Sequence, residues 1–155
     1  PLLEMQIGRV ASRNTQVVAA IEPLGTNMVT IYTPSLADSL FRHGNIHRMI
    51  IDTKIVGAKG LGMADFMGLG RDQIVVGAQK TDSSHAFGIQ FYVPFNPYWE
   101  AVDSYWIDRN GIDCENLKIA DMDADGKLDI VVSGRSTHNL KIYWNRMGST
   151  TDNGK

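Results

Sequence analysis

The chain repeats itself at a fixed spacing, and this repeat limits its possible folds more than any other feature. Residues 63–77 (MADFMGLGRDQIVVG) align without a gap with residues 119–133 (IADMDADGKLDIVVS), at an offset of 119 − 63 = 56. The same offset places residues 51–52 on residues 107–108. A period of this size is close to that of one β-propeller blade, and it indicates stacked units of one kind.

A third copy and a recurring triplet fix the register of the repeat. Residues 16–20 (QVVAA) resemble residues 73–77 (QIVVG). Each copy later contains a polar residue, an apolar residue and a tyrosine in succession, ending at Tyr32, Tyr92 and Tyr143. Such alternation is typical of a half-buried strand, whose side chains point to the two faces of a sheet in turn. We therefore predict that most of the chain is strand and loop.

These landmarks predict an all-β fold of about three four-stranded antiparallel β-propeller blades, at 5–52, 60–107 and 117–150, the last incomplete. The predicted strands are 5–10, 16–21, 28–33, 46–51, 60–66, 73–79, 88–93, 100–107, 117–122, 128–133 and 140–144. One short helix is predicted at 35–42. A closed ring needs roughly four to eight blades, so we expect part of a larger propeller, with seven blades. A two-sheet β-sandwich is the alternative, but it would not require the repeat.

Composition and charge exclude several kinds of partner. The 155 residues include 15 Lys and Arg against 17 Asp and Glu, for a formal charge of -2. No basic block is present that would bind a phosphate backbone or an anionic bilayer. The longest apolar runs are far shorter than the roughly 20 residues of a membrane-spanning helix. Nucleic acid and membranes are therefore not expected partners, and the single cysteine, Cys114, excludes an internal disulfide.

One loop has the carboxylate spacing of a calcium site. Residues 121–129 (DMDADGKLD) place aspartates at loop positions 1, 3, 5 and 9, with Gly126 at the sharp turn. Calcium binds about six to eight oxygens, and this spacing converges oxygens on one point. The predicted ligands are Asp121, Asp123, Asp125, Asp129 and the backbone carbonyl of Lys127. Position 12 is Val132 instead of the glutamate of an EF-hand, so we predict a calcium loop within a β-hairpin.

The counterpart of this loop in the middle copy has lost the pattern. Its four ligand positions hold Asp65, Met67, Leu69 and Gln73, so we predict no metal there. This decay favours a structural ion that stiffens one hairpin over a catalytic one. The alternative is a solvated acidic turn, although three aspartates spaced two apart would repel one another without a cation.

The Asp-x-Asp-x-Asp-Gly-x-x-Asp loop followed by residues 130–132 (IVV) resembles the FG-GAP or VCBS-type propeller repeats. These repeats occur in integrin-like adhesion proteins, lectins and large secreted or surface proteins. A narrower resemblance is carried by residues 133–145 (SGRSTHNLKIYWN), which are similar to blades in the propeller of aldos-2-ulose dehydratases. That resemblance implies a metal-dependent lyase that dehydrates keto-sugars such as anhydrofructose, with zinc in a propeller cleft.

Blade geometry assigns four titratable residues to the face opposite the calcium loop. His85 and His138 fall in the loop before strand three, and Asp52 and Asp108 fall just after strand four. Imidazole and carboxylate groups bind zinc while leaving a position open for water or substrate, and one of them can remove a proton. We predict these four residues as a catalytic site. The alternative is that the histidines cap turns.

Three hypotheses for function follow. The leading one is a segment of a carbohydrate-active enzyme that acts on a carbohydrate or keto-sugar and binds a structural Ca²⁺ and a Zn²⁺. The second is a non-catalytic adhesion or glycan-binding propeller, and the third is a purely architectural set of blades. The remaining blades of a parent protein are expected partners in each case. The chain begins at a proline without a leader, so we expect a removed signal or an internal fragment, and an extracellular or secreted location, which suits a weak calcium site.

Overall fold

The computed structural model describes residues 4–10, 15–24, 26–34, 46–96 and 98–147. All regular secondary structure in these residues is β-strand, which confirms the predicted all-β class. The described strands are β1 (Glu4–Val10), β2 (Thr15–Leu24), β3 (Thr26–Pro34), β4 (Ile46–Asp52), β5 (Ala58–Ala64), β6 (Gln73–Ala78), β7 (Gly88–Pro94), β8 (Val102–Arg109), β9 (Cys114–Ala120), β10 (Asp129–Gly134) and β11 (Leu140–Tyr143). The helix predicted at 35–42 lies outside the described residues. No described segment forms a helix with the length and hydrophobicity needed to span a bilayer.

The strands form three antiparallel sheets in which sequence neighbours are paired. The first sheet contains β1 to β4, the middle sheet β5 to β8 and the last sheet β9 to β11. Each sheet is a meander, because consecutive strands lie side by side. In the part of the chain that the structure describes, the last sheet has three strands and β11 is at its edge.

The middle sheet is covered on both faces. Side chains alternate along a strand, so Ile74 and Val76 of β6 pack towards the first sheet while Val75 packs towards the last. Every residue of β6 is buried as a result. Ile21 and Ile31 complete the first interface from β2 and β3. The three sheets are therefore stacked face to face, with a hydrophobic cluster at each of the two interfaces.

The sheets approach one another closely at their first strands. β1 lies beside β5, and β5 lies beside β9. A Cβ atom at Gly60 would lie 2.9 Å from Cβ of Leu117, and one at Gly62 would lie 2.6 Å from Cδ1 of Ile119. These separations are shorter than the roughly 3.5–4.0 Å of packed carbon atoms. Glycine is therefore needed at both positions for β5 and β9 to approach this closely.

A buried carboxylate lies on the outward face of the first sheet. Glu22 follows Ile21, which faces the middle sheet, so the Glu22 side chain points to the opposite face. It accepts hydrogen bonds from Thr30 (2.8 Å), Tyr32 and Arg48. The bond from Arg48 lowers the pKa of Glu22 to about 2, against the opposing effect of burial. The carboxylate stays charged because three donors surround it.

Candidate metal loop and the opposite face

The β9–β10 loop brings three of the predicted metal ligands together. Carboxylate oxygens of Asp121, Asp123 and Asp129 lie within 4.8 Å of one another. Asp129 is 1% exposed, whereas Asp121 and Asp123 face solvent. Within the described ranges, no other group of three or more His, Cys, Asp or Glu side chains meets this spacing. The loop is therefore the best candidate for a metal site among the residues described.

The fourth predicted carboxylate is oriented differently. Asp125 Oδ1 accepts a hydrogen bond from the Lys127 N–H at 2.9 Å, so this side chain is used within the turn. A guanidinium from the segment after β11 also reaches the loop. Arg146 Nη1 lies 2.9 Å from Asp123 Oδ2 and 3.5 Å from Asp125 Oδ2. Part of the negative charge of the loop is thus balanced by the chain itself.

The β9–β10 loop and the β5–β6 loop, which has lost most of the aspartates, have backbone features in common. Ala124 and Gly126 have φ values of 60° and 84°, and their counterparts in the β5–β6 loop, Gly68 and Gly70, have φ values of 66° and 70°. Alanine seldom adopts this left-handed conformation. Both loops also use their first aspartate in the same way, because Asp121 accepts a hydrogen bond from Gly126 N–H as Asp65 does from Gly70 N–H. The two loops thus share these two left-handed positions and this hydrogen bond.

An amide replaces the last aspartate in the β5–β6 loop. Gln73, the counterpart of Asp129, accepts a hydrogen bond from Met67 N–H (3.0 Å) and donates Nε2–H to the carbonyl of Arg71 (2.6 Å). Arg71 is the counterpart of Lys127, whose carbonyl is a predicted metal ligand. In the β5–β6 loop, therefore, a side-chain N–H lies where a cation is predicted in the β9–β10 loop. Ionised Asp129 has no such donor.

Asp129 also anchors the loop to the rest of the chain. Its Oδ2 accepts a hydrogen bond from Met122 N–H (2.9 Å), and its Oδ1 accepts one from Asn145 N–H (2.8 Å). Asn145 in turn donates Nδ2–H to the carbonyl of Phe66 (2.8 Å). One buried carboxylate thus joins the loop to the segment after β11, and Asn145 joins that segment to the middle sheet. Each carboxylate oxygen keeps a second lone pair for a cation.

On the opposite face, the two predicted catalytic aspartates form hydrogen bonds between sheets. Asp52 accepts one from the Tyr92 hydroxyl at 2.8 Å, and Asp108 accepts one from the Tyr143 hydroxyl at 2.6 Å. Asp108 also accepts one from Lys141 Nζ at 2.7 Å. Burial disfavours the charged form of Asp108, but these donors outweigh it and hold its pKa below the usual value. Each aspartate links the fourth strand of one sheet to the third strand of the next.

The two predicted catalytic histidines lie in exposed loops. His85 Nδ1 is 2.8 Å from Asp82 Oδ2, and hydrogen bonds from Ser84 and then from His85 lower the pKa of Asp82. His138 has a φ of 47°, and its N–H donates to the carbonyl of Arg135 at 3.3 Å.

The four residues predicted as one catalytic site are not gathered into a metal-binding group. Within the described residues, His85, His138, Asp52 and Asp108 are absent from the one cluster with metal-ligand spacing. The physical reason is that tyrosine hydroxyls hold the two aspartates between the sheets, while loop contacts hold the histidines. Sequence reasoning missed the tyrosine partners, although the signal was present: Tyr92 and Tyr143 recur in the same repeat as the aspartates.

A polar cavity of about 380 Å³ lies among the loops of this face. It is lined by Gln79, Lys80, Thr81, Asp82, Asp113, Arg135 and Ser136. Asp113 joins two of the loops, because it accepts hydrogen bonds from Lys80 N–H (2.7 Å) and Ser136 N–H (3.0 Å). Neither His85 nor His138 is among the lining residues. The sequence did not predict this cavity.

Comparisons with known proteins give no family assignment. A scan against protein-family models and a search of curated proteins found no match to the chain. The resemblances to FG-GAP or VCBS-type repeats and to the dehydratase propeller stay predictions from the sequence.

Proposed function

We propose that the chain is a segment of a β-propeller of the FG-GAP or VCBS type, stiffened by a calcium ion in the β9–β10 loop, and that it serves as a non-catalytic glycan-binding or adhesion module. The observation that carries the proposal is the group formed by Asp121, Asp123 and Asp129. The β5–β6 loop supports it, because there Gln73 supplies an N–H to the carbonyl that a cation would otherwise contact. Oxygen ligands of this number and charge suit a hard cation.

The packing of the sheets supports the blade arrangement. Each sheet is an antiparallel meander, the first strands of successive sheets are adjacent, and the same aspartate–tyrosine hydrogen bond recurs at both interfaces. A stack built from identical contacts extends by adding further copies of its unit. We propose that further blades of a parent protein continue the stack, and that seven close the ring.

The calcium ion would act on the hairpin and not on a substrate. Asp121 and Asp123 would supply ligands from the loop, Asp129 from the start of β10, and Lys127 its carbonyl. The ion supplies positive charge that relieves repulsion among carboxylates held within 4.8 Å. We propose an extracellular or secreted location, because modules outside the cell use calcium sites with dissociation constants of about 10⁻⁴–10⁻³ M.

Calcium is expected to raise the melting temperature of the chain by several degrees. Calcium at 100 times its dissociation constant would add about 2.7 kcal/mol to the free energy of unfolding. Calorimetry with and without a chelator measures this shift. Asp123→Asn should abolish the response, whereas Asp65→Asn, in the β5–β6 loop, should keep it. Equal calcium responses in Asp123→Asn and the unmodified chain would contradict the proposal.

The polar cavity on the opposite face is the proposed site for a carbohydrate ligand. Its lining includes the charged side chains of Lys80, Asp82, Asp113 and Arg135, and such groups both donate hydrogen bonds to sugar hydroxyls and accept them. Binding sites generally use a few convergent polar groups in a concave surface.

A keto-sugar dehydratase is the second candidate function, favoured by the pairing of His85 with Asp82. A carboxylate at one imidazole nitrogen orients the other for a metal or a proton. If this function holds, zinc removal should abolish keto-sugar dehydration, and His85→Ala should lower it at least about 100-fold, with Ser104→Ala, at an exposed position of β8, as the control. Glycan-array binding that survives zinc removal, without dehydration, would instead support the non-catalytic module.

A further inference from the structure

The last sheet differs from the other two at one edge. In the first and middle sheets a fourth strand pairs with the third, as β4 does with β3 and β8 with β7. In the described residues of the last sheet, β11 pairs with β10 on one side only. Leu140, at the start of β11, is 64% exposed. An unpaired strand edge offers backbone N–H and C=O groups to a further strand.

An apolar groove of about 390 Å³ lies beside this edge, between the middle and last sheets. Phe91, Tyr105 and Ile107 line it from the middle sheet, and Ile130 and Tyr143 line it from the last. Tyr105 is 42% exposed although its ring packs against Phe91, with 5.4 Å between centroids. The groove therefore exposes apolar and aromatic surface that a further strand would bury.

At the interface between the first and middle sheets, side chains fill the position that corresponds to this groove. By the repeat, the five groove residues correspond to Ile31, Met49, Ile51, Ile74 and Tyr92. All of these belong to the hydrophobic cluster of that interface or pack against it. Val102 and Trp106 of β8 also pack against that cluster. The fourth strand of the middle sheet thus supplies the side chains that complete the first interface.

The way in which β4 and β8 pair with the third strands shows which residues a fourth strand of the last sheet would place opposite β11. Both existing pairs have a register shift at the same point, after which Asp52 lies opposite Val29 and Asp108 opposite Ile89. Trp106 lies opposite Gln90, one residue further along. The counterparts of Ile89 and Gln90 in β11 are Leu140 and Lys141.

We propose that β11 and the groove receive a fourth antiparallel strand of the β8 type, with an aspartate opposite Leu140 and a large apolar side chain opposite Lys141. The strand comes from outside residues 1–155, since residues 148–155 (GSTTDNGK) contain no large apolar side chain. This inference rests on the four-stranded blade of the proposed function and is independent of the calcium loop.

A peptide with the sequence of β8 (VDSYWIDR) tests the proposal when it is added to the full chain. We expect one peptide per chain, with new protection of the β11 amides against hydrogen exchange. Trp106→Ala in the peptide should weaken binding at least about tenfold, because a buried aromatic anchor dominates such contacts. Absence of binding, or new protection at strands other than β11, would overturn the proposal.

Tyr105→Lys in the chain tests the groove itself. It places a charge in the groove at a side chain that is already 42% exposed, and the lost ring contact with Phe91 should cost only about 0.5–1.5 kcal/mol, so the chain should still fold. Tyr98→Lys is the matched control, since Tyr98 is 39% exposed and lies outside the groove. We expect Tyr105→Lys to weaken binding of the peptide at least about tenfold, with a small drop in melting temperature and an unchanged calcium response. Tyr98→Lys should leave peptide binding unchanged. Equal binding by both variants would overturn the proposal while leaving the calcium result intact.

Discussion

Replacing Asp129 by alanine is expected to lower the free energy of unfolding by about 2–4 kcal/mol, even without calcium. The substitution removes the acceptor for Met122 N–H and for Asn145 N–H at a site that is 1% exposed. A buried donor left without a partner costs about 1–3 kcal/mol. Urea unfolding in the presence of a chelator measures the change without any contribution from metal. Calcium binding should be lost in the same variant.

Asp103→Ala is the control for this experiment. Asp103 is exposed on β8 and accepts a hydrogen bond from the neighbouring Ser104 N–H at 2.9 Å, so we expect a change within about 0.5 kcal/mol. Asp129→Asn, which keeps an acceptor oxygen, should fall between the two. If Asp129→Ala proved as stable as Asp103→Ala in the chelator, the anchoring role of Asp129 would be wrong.

Replacing Asp108 by alanine is expected to cost about 2–3 kcal/mol of unfolding free energy. The Asp108 side chain is 11% exposed and accepts hydrogen bonds from Tyr143, Lys141 and the Gly111 N–H. Hydrogen bonds to a charged group contribute about 1.5–3 kcal/mol, and the partners left behind are partly buried. Thermal or urea unfolding measures the loss. Asp52→Ala should cost less, since Asp52 accepts hydrogen bonds from Tyr92 and from the exposed Lys54 N–H.

A double-mutant cycle separates the energy of the Asp108–Tyr143 hydrogen bond from the general effect of each substitution on stability. The cycle combines Asp108→Ala with Tyr143→Phe, and we expect a coupling energy of about 1–2 kcal/mol, in the range found for residues in direct contact. Additive effects of the two substitutions would show that the cross-sheet hydrogen bond does not stabilise the fold.

The strands and their order were predictable from the sequence because both depend on local patterns. Alternating apolar residues define each strand, and short connections make successive strands pair. The fixed offset of the repeat then allowed the strands of the weaker copies to be assigned from those of the clear copy at 119–133. The spacing of Asp121, Asp123 and Asp129 likewise predicted that their side chains would converge.

The contacts of the opposite face were not predictable in this way. Asp52 and Tyr92 are 40 residues apart, and Asp108 and Tyr143 are 35 apart. Local periodicity says which face a side chain occupies but not which distant group it meets. The recurrence of the aspartates was therefore interpreted as chemistry, whereas their tyrosine partners served only as strand markers. Asp125 shows the same limit, since ligand spacing specifies a position in the loop and not the rotamer of the side chain.

The glycines of β5 also affect the angle between neighbouring sheets. Gly60 and Gly62 let β5 approach Leu117 and Ile119 of β9 closely, while Tyr105 of the fourth strand adds an aromatic ring on the same side of the middle sheet. In the proposed propeller, interfaces that are narrow at the first strands and wide at the fourth strands would make successive sheets diverge from the first strands outward. Each interface would then add a rotation about the first strands, and the size of that rotation would decide how many sheets complete the proposed ring. A larger side chain at Gly62 would change that rotation, so two residues without side chains would help to set the number of blades.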